Sequence, residues 1–97
     1  MEKEKYAKGN IRARVWKWPG PMGWYFITCD KRKSAQIRTQ YGKGLLPIEI
    51  THKKTTWKTS LLPHTASQGY LIALKAQIRA KENIKEGDII SVQYRIL

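Results

Sequence analysis

The sequence predicts a mainly β fold, a small barrel with a pseudo-twofold repeat and two short helices. Three observations support this prediction. Several segments alternate apolar and polar residues with the period of a β-strand. Two further segments are predicted to be short helices, and the first of them carries both end signals. The order strand, short helix, turn and strand occurs twice, and two such halves can close a barrel that leaves no sheet edge exposed.

The first strand is predicted over residues 6–18, after a charged and flexible N-terminus at residues 1–5. Along this strand the apolar residues Ile11, Ala13 and Val15 alternate with Arg12, Arg14 and Trp16, which is the two-residue period of a β-strand. A loop rich in glycine and proline follows at residues 19–23. Residues 24–29, WYFITC, are aromatic and β-branched, which is typical of a strand buried on both faces.

A helix is predicted to begin after Asp30, because Asp is a favoured N-cap residue. It ends near Tyr41, since Gly42 can supply the stop. The predicted apolar stripe of this helix is thin and consists of Ile37 and Tyr41, with Ala35 nearby.

The rest of the chain is predicted to complete the barrel. The elements are a turn at 42–44, a strand at 45–51, a hairpin tip at 52–54, a strand at 55–61, a loop at 63–69, a strand at 69–74, a helix at 75–83, a turn at 84–88 and a strand at 89–97. The last strand places Ile90, Val92, Tyr94 and Ile96 on one face.

The tetrapeptide AQIR occurs in both predicted helices, at residues 35–38 and 76–79. Each copy follows a strand and precedes a glycine-containing turn and another strand. The 97 residues are enough for one domain and too few for two, so a single domain is predicted over residues 6–97. Because both halves lie in one chain, we expect a monomer.

The chain resembles a bacterial family, the domain of unknown function 1905 family. The resemblance covers about residues 11–96 and is carried by GWYFIT (23–28), GKGLLPIEIT (42–51), TTWKTSLLP (55–63) and GYLIALKAQIRAKENIKEGDIISVQY (69–94). It implies a small closed or split β-barrel, and members occur alone or joined to bacteriocin-protection-type domains. It implies no activity, because none is established for the family. The chain differs from the family pattern at Lys53-Lys54, where paired glycines are common, and at Ala73, where proline is frequent.

The composition predicts an ordered cytoplasmic domain with a basic surface. The 97 residues include 19 Lys and Arg against 7 Asp and Glu, a formal net charge of +12. Such an excess raises the local concentration of polyanions. The single cysteine fits a reducing compartment. We expect no secretory signal and no membrane association, because no segment has the apolar length that either requires.

No catalytic residue, cofactor or metal is expected. Cys29, His52 and His64 fall in no nucleophile-elbow, phosphate-loop or metalloprotease pattern. Cys29 lies in a buried strand, where an inert core thiol is expected. One cysteine and two scattered histidines are too few metal ligands. We therefore predict a domain that is not an enzyme.

Two sets of basic and aromatic residues are candidates for binding nucleic acid or another polyanion. The first strand, if it keeps its alternation, presents Arg12, Arg14, Trp16 and Trp18 on one face. The second set lies at and after the hairpin tip and comprises Lys53, Lys54, Trp57 and Lys58. Cations contact phosphates and flat rings stack on bases, so both sets suit a single-strand binding surface. The same tryptophans also suit the core or the barrel ends of so small a domain.

A protein-interaction or small-ligand module is the alternative hypothesis. Tryptophans and tyrosines at a barrel end can hold a small ligand, and aromatic residues with arginine are typical interface anchors. The occurrence of related domains beside bacteriocin-protection-type domains points in the same direction.

Overall fold

The strands of a computed structural model of the chain form a nearly closed antiparallel barrel. The structure describes residues 7–21, 23–42 and 44–97, so the predicted flexible N-terminus at residues 1–5 lies outside it. Its elements are β1 (Lys8–Arg14), β2 (Trp16–Lys17), β3 (Tyr25–Cys29), α1 (Lys31–Tyr41), β4 (Leu46–His52), β5 (Thr55–His64), β6 (Gly69–Ala73), α2 (Ala76–Glu82) and β7 (Ile89–Ile96). The predicted mainly β class with two short helices is confirmed.

The seven strands are hydrogen-bonded in the order β1-β7-β4-β5-β6-β3-β2. The two ends of this order, β1 and β2, are consecutive along the chain, so the first segment closes the barrel. One seam stays unsealed, where β1 packs beside β3 without a ladder between them in the described residues. Beside this seam the Lys33 Nζ donates a hydrogen bond of 2.8 Å to the carbonyl oxygen of Asn10, which ties α1 to β1.

Two strand segments change partners at the corners of the barrel. β1 pairs with β7, and the chain then continues as β2 beside β3. β5 pairs with β4 as far as Leu61 and with β6 from Leu62 onward. The equivalent strands of the two halves pair antiparallel, β3 with β6 and β4 with β7, as a pseudo-twofold relation between the halves requires.

The first corner lies at Val15 and divides the strand that the sequence predicts over residues 6–18. The Val15 N–H donates to the Asp88 carbonyl at 2.7 Å, and its carbonyl accepts from the Gly87 N–H at 2.8 Å. Val15 is thus bonded to the turn before β7, while Trp16 already pairs with β3. The alternation of side chains continues through this change of partner.

The barrel interior is filled by the inward members of the strands, together with Val15 at the corner, Ile37 of α1, and Leu74 and Ile84 on either side of α2. Its buried apolar residues are Ile11, Val15, Ile27, Cys29, Ile37, Ile48, Ile50, Leu61, Tyr70, Ile72, Leu74, Ile84, Ile90, Val92 and Tyr94. The predicted inward face of the last strand is confirmed, since Ile96 also packs against this core.

Helix α1 begins and ends where the sequence predicts. The Asp30 carboxylate accepts a hydrogen bond of 2.7 Å from the Lys33 N–H, and Gly42 ends the helix with φ 85°. The predicted apolar stripe is correct for Ile37 and Tyr41 but wrong for Ala35, which is exposed.

Ser34 takes the buried place beside Ile37 instead. Its hydroxyl donates to the Cys29 carbonyl and accepts from the Tyr70 N–H, both at 3.2 Å. A Cβ at Gly69 would lie 2.9 Å from the Ser34 hydroxyl oxygen, so this position requires glycine. The serine therefore joins α1 to β3 and β6.

The predicted loop at residues 63–69 is too long, because β5 continues through Pro63 and His64. These two residues pair with Tyr70 and Gly69, respectively. Proline lacks an N–H and is tolerated near the end of a strand, where the ladder loses little. None of the described helices is long and apolar enough to cross a membrane.

Candidate functional site

The outer side of β1, β7, β4 and the first half of β5 carries cations in register. Lys8 lies opposite Arg95, Arg95 opposite Glu49, and Glu49 opposite Lys58. These pairings place the four side chains on one rung that crosses four neighbouring strands. Inward residues alternate with them, as the burial of Ile48 and Tyr94 shows.

Further polar and basic side chains continue this surface toward the first corner. The next rung comprises Asn10, Gln93, Thr51 and Thr56. Beyond it, Arg12 lies opposite Ser91 and Arg14 opposite Ile89. We call the surface defined by Lys8, Arg12, Arg14, Lys58, Arg95 and Glu49 the basic face. A concavity of about 320 Å³ lies on it between the first two rungs.

The charges of the basic face are only partly compensated. Arg95 forms an ion pair with Glu49 at 3.0 Å, and Arg14 donates to the Gly87 carbonyl at 3.2 Å. Within the described ranges, Lys8, Arg12 and Lys58 make no ion pair. The face therefore presents an excess of exposed positive charge among polar side chains that can donate hydrogen bonds.

Cations also occur on other surfaces of the domain. They include Lys31, Arg32, Lys33 and Arg38 on α1, Lys53 and Lys54 at the hairpin tip, and Lys75, Arg79, Lys81 and Lys85 at and around α2. Positive charge thus occurs on several surfaces of the domain. The basic face differs from the others because its cations lie in register on neighbouring strands.

The outer side of β2 and β3 carries aromatic rings on two successive rungs. Trp16 lies opposite Phe26. The Trp18 N–H donates to the Trp24 carbonyl at 2.8 Å, which extends the ladder to a second aromatic pair. We call the surface formed by Trp16, Trp18, Trp24 and Phe26 the aromatic face.

The rings of the aromatic face pack on one another around Phe26. Ring centroids of Trp16 and Trp18 lie 5.4 Å and 5.8 Å from that of Phe26, and Trp24 stacks on Phe26 at 6.3 Å with 9° between the planes. The Trp16 Nε1–H donates to the Thr28 hydroxyl at 2.9 Å, which fixes its indole. Phe26 is only 7% exposed although it points away from the barrel core, because the indoles cover it.

A cleft of about 530 Å³ opens at the edge of the aromatic face. Its lining residues are Trp18, Pro19, Gly20, Pro21, Trp24 and Phe26. Trp18 is 42% exposed and Trp24 50% exposed, so two large apolar side chains stand half in solvent. An accessible apolar cleft of this size is typical of a binding site.

The structure distributes the predicted site residues over the basic face, the aromatic face, the hairpin tip and the barrel interior. Arg12 and Arg14 lie on the basic face, and Trp16 and Trp18 lie on the aromatic face beyond the corner at Val15. Lys53 and Lys54 are exposed at the hairpin tip, and Lys58 lies on the basic face.

Trp57 points inward, away from the basic face that its neighbour Lys58 joins. It packs against the barrel core, and its Nε1–H is buried without a hydrogen-bond partner in the described part of the chain. The structure therefore does not bring Trp57 together with the other predicted site residues.

Comparison with known proteins places the chain in a family. Residues 12–93 match the family model described as Domain of unknown function (DUF1905). The chain belongs to this family. A search of the curated proteins finds no match. The matched segment extends from Arg12 in β1 to Gln93 in β7, so most of the basic face and the whole aromatic face of this DUF1905 domain lie within it.

A hydrogen-bonded cluster in this DUF1905 domain joins α2 to the β4–β5 hairpin. The buried His52 donates from Nδ1 to Glu82 Oε1 at 2.7 Å, since a carboxylate can only accept. The Thr55 hydroxyl donates to Glu82 Oε2 at 2.6 Å. The bonds from Thr55 and then His52 lower the pKa of Glu82. Sequence spacing could not reveal this cluster, because His52 and Glu82 are 30 residues apart.

Cys29 lies in the core of the DUF1905 domain. Burial raises the pKa of its thiol, which disfavours the reactive thiolate. Among the described residues, no group of three or more His, Cys, Asp or Glu side chains is arranged to hold a metal ion.

Proposed function

We propose that this DUF1905 domain is a non-enzymatic module that binds nucleic acid through phosphate contacts on its basic face. The observation that supports this function is the rung on which Lys8, Arg95 and Lys58 lie in register, with Arg12 and Arg14 farther along β1. Family membership is compatible with this function but supplies no activity.

The geometry of the basic face suits a phosphate backbone. Neighbouring strands lie about 4.8 Å apart, so Lys8 and Lys58 are separated by about 14 Å across the rung. Cations spread over this distance can contact several phosphates of one strand and release their counterions. Asn10, Gln93 and Thr51 lie between the cations and can donate hydrogen bonds to phosphate and sugar oxygens, which position a backbone without selecting a sequence.

Binding of fluorescently labelled oligonucleotides, measured by anisotropy over a range of salt concentrations, tests this function. The face variant combines Lys8→Gln, Arg12→Gln and Lys58→Gln. The matched control combines Lys75→Gln, Lys81→Gln and Lys85→Gln, which removes the same charge from exposed positions at and around α2.

We expect the face variant to bind at least about tenfold more weakly in low salt, because it loses three phosphate contacts. Its logarithmic salt slope on single strands should fall by about 2. The control should retain most of the affinity and the slope. Equal losses in both variants would show that net charge alone attracts the oligonucleotide, and absence of binding by the wild type in low salt would refute the function.

A small-ligand or protein-interaction module is the second candidate, favoured by the half-exposed tryptophans of the aromatic cleft. Under this candidate function, the partner or ligand would be related to bacteriocin protection, as the occurrence of related domains beside bacteriocin-protection-type domains suggests. This candidate gains support if the wild type binds no oligonucleotide at any salt concentration.

A further inference from the structure

We infer that the aromatic cleft takes an unpaired base, so that the domain selects single-stranded over double-stranded nucleic acid. The inference rests on the proposed function, because the basic face holds the phosphates of the same strand. The residues concerned are Trp18 and Trp24, which form the walls of the cleft, and Phe26, whose ring contacts both of them.

The shape of the cleft fits a flat heterocycle. The Trp24 ring is nearly parallel to that of Phe26, with 9° between the planes, and half of Trp24 remains exposed. The Trp18 ring contacts the Phe26 ring edge-on, with an angle of 70° between the two ring planes. Every nucleobase has a π-face that can stack on such rings irrespective of its identity. The volume of about 530 Å³ lies within the usual range of small-ligand sites.

The rings are held in place before any ligand binds. Trp16 is anchored to Thr28 through its Nε1–H, and it packs against both Trp18 and Phe26. Ordering flexible side chains opposes binding, so a preformed set of rings loses less free energy when a base enters.

Charge favours a nucleic-acid strand as the occupant. The four strands on this side of the barrel, β2, β3, β6 and β5, contain no acidic residue in their described ranges. Arg14 of the basic face is four residues from Trp18, about 13 Å along an extended chain. A strand bound to the basic face can therefore pass the corner at Val15 and reach the cleft, whose described lining carries no carboxylate. The exposed Asp88 lies beside this corner, but its Oδ2 already accepts a hydrogen bond from the Lys85 N–H. The paired and stacked bases of a duplex cannot enter it.

The test compares the wild type with Trp24→Ala on three labelled probes at one low salt concentration. The probes are a single-stranded oligonucleotide, a duplex of the same sequence, and an abasic deoxyribose–phosphate oligomer of the same length. Leu45→Ala is the matched control, because Leu45 is another large apolar residue that is about half exposed, and it lies outside the cleft. Trp24→Phe keeps an aromatic ring at the site.

We expect Trp24→Ala to lose about 5- to 150-fold in affinity for the single strand, the usual effect of removing one stacking ring. Its affinity for the duplex and the abasic oligomer, and its salt slope, should stay at the wild-type value. Trp24→Phe should retain most of the single-strand affinity, and Leu45→Ala should match the wild type on all three probes.

The opposing outcomes separate this inference from the proposed function. Wild-type binding to the single strand that is unchanged in Trp24→Ala would overturn the base site and leave the phosphate contacts in place. Equal losses on all three probes would overturn it as well, since the ring would then not act on a base. Self-association of the wild type that Trp24→Ala abolishes, without an effect on single-strand affinity, would assign the cleft to a protein contact. Absence of all binding would overturn both proposals.

Discussion

Arg14 and Trp16 extend outward from one continuous chain segment but pair with different strands of the barrel. Arg14 lies opposite Ile89 of β7, whereas Trp16 lies opposite Phe26 of β3. Only Val15 separates them, because the chain changes partners there. Two surfaces of different chemistry therefore meet at one residue, with exposed cations on one side and packed rings on the other.

Trp16 and Trp24 should differ in what they contribute to stability. Trp16→Ala removes the bond to Thr28 and uncovers Phe26, so we expect the free energy of unfolding to fall by about 3 kcal/mol. Trp24→Ala should change it by less than about 1 kcal/mol, because half of that side chain is already in solvent. Urea unfolding followed by circular dichroism measures both. Equal losses would mean that Trp24 supports the fold and is not free to contact a ligand.

Ser34 should be more important for stability than an exposed hydroxyl on the same helix. Ser34→Ala leaves the Tyr70 N–H and the Cys29 carbonyl without the buried hydroxyl that bonds both, so we expect a loss of about 1–3 kcal/mol. Thr39→Ala is the control, because the Thr39 hydroxyl bonds only the exposed Ala35 carbonyl. It should stay within about 0.5 kcal/mol of the wild type. Chemical denaturation midpoints compare the two variants, and similar midpoints would contradict this role for Ser34.

Local patterns predicted most of the fold. Alternation located the strands and the inward face of β7, and the Asp30 cap and Gly42 stop located α1. Ser34 was missed because its two partners come from other strands, so no pattern within the helix marks it as buried. The break at Val15 was missed for a related reason: alternation is unaffected when a strand changes its neighbour.

The candidate site was less predictable than the fold. Sequence alternation predicted that Arg12, Arg14, Trp16 and Trp18 share one face. Their alternation continues through the first segment, but the corner at Val15 divides them between the basic face and the aromatic face. The contributions of Lys8 and Arg95 depend on the register between β1 and β7, and that register is a property of the folded barrel.

The hairpin tip should gain stability from a single glycine. Lys53 adopts φ 56°, which is unfavourable for a residue with a Cβ, whereas Lys54 has no positive φ. Lys53→Gly should raise the free energy of unfolding by about 0.5–1 kcal/mol, because it relieves this strain. Lys54→Gly removes the same charge from the same turn and should lower stability by a similar amount through the entropy of the unfolded chain. Thermal unfolding distinguishes these opposite signs, and a shift in the same direction for both variants would contradict the argument.

Glu82 should make the stability of the domain depend on acid pH. Its pKa in the folded state lies below the ordinary value of 4.5, because Thr55 and His52 donate hydrogen bonds to the ionised carboxylate. The unfolded state therefore binds the proton more readily than the folded state. The contribution is complete above pH 4.5 and is lost as the pH falls through the folded-state pKa.

Glu82→Gln tests this contribution, because the amide keeps the shape of the side chain but cannot ionise. We expect the variant to be less stable than the wild type at neutral pH and to lose less stability on acidification, so that the two curves converge in acid. Glu86→Gln is the matched control, since Glu86 is exposed in the turn before β7 and its removal should leave the pH dependence unchanged. Urea midpoints at a series of pH values, followed by tryptophan fluorescence, provide the curves. Parallel curves for the wild type and Glu82→Gln would show that the His52–Glu82–Thr55 cluster does not couple protonation to folding.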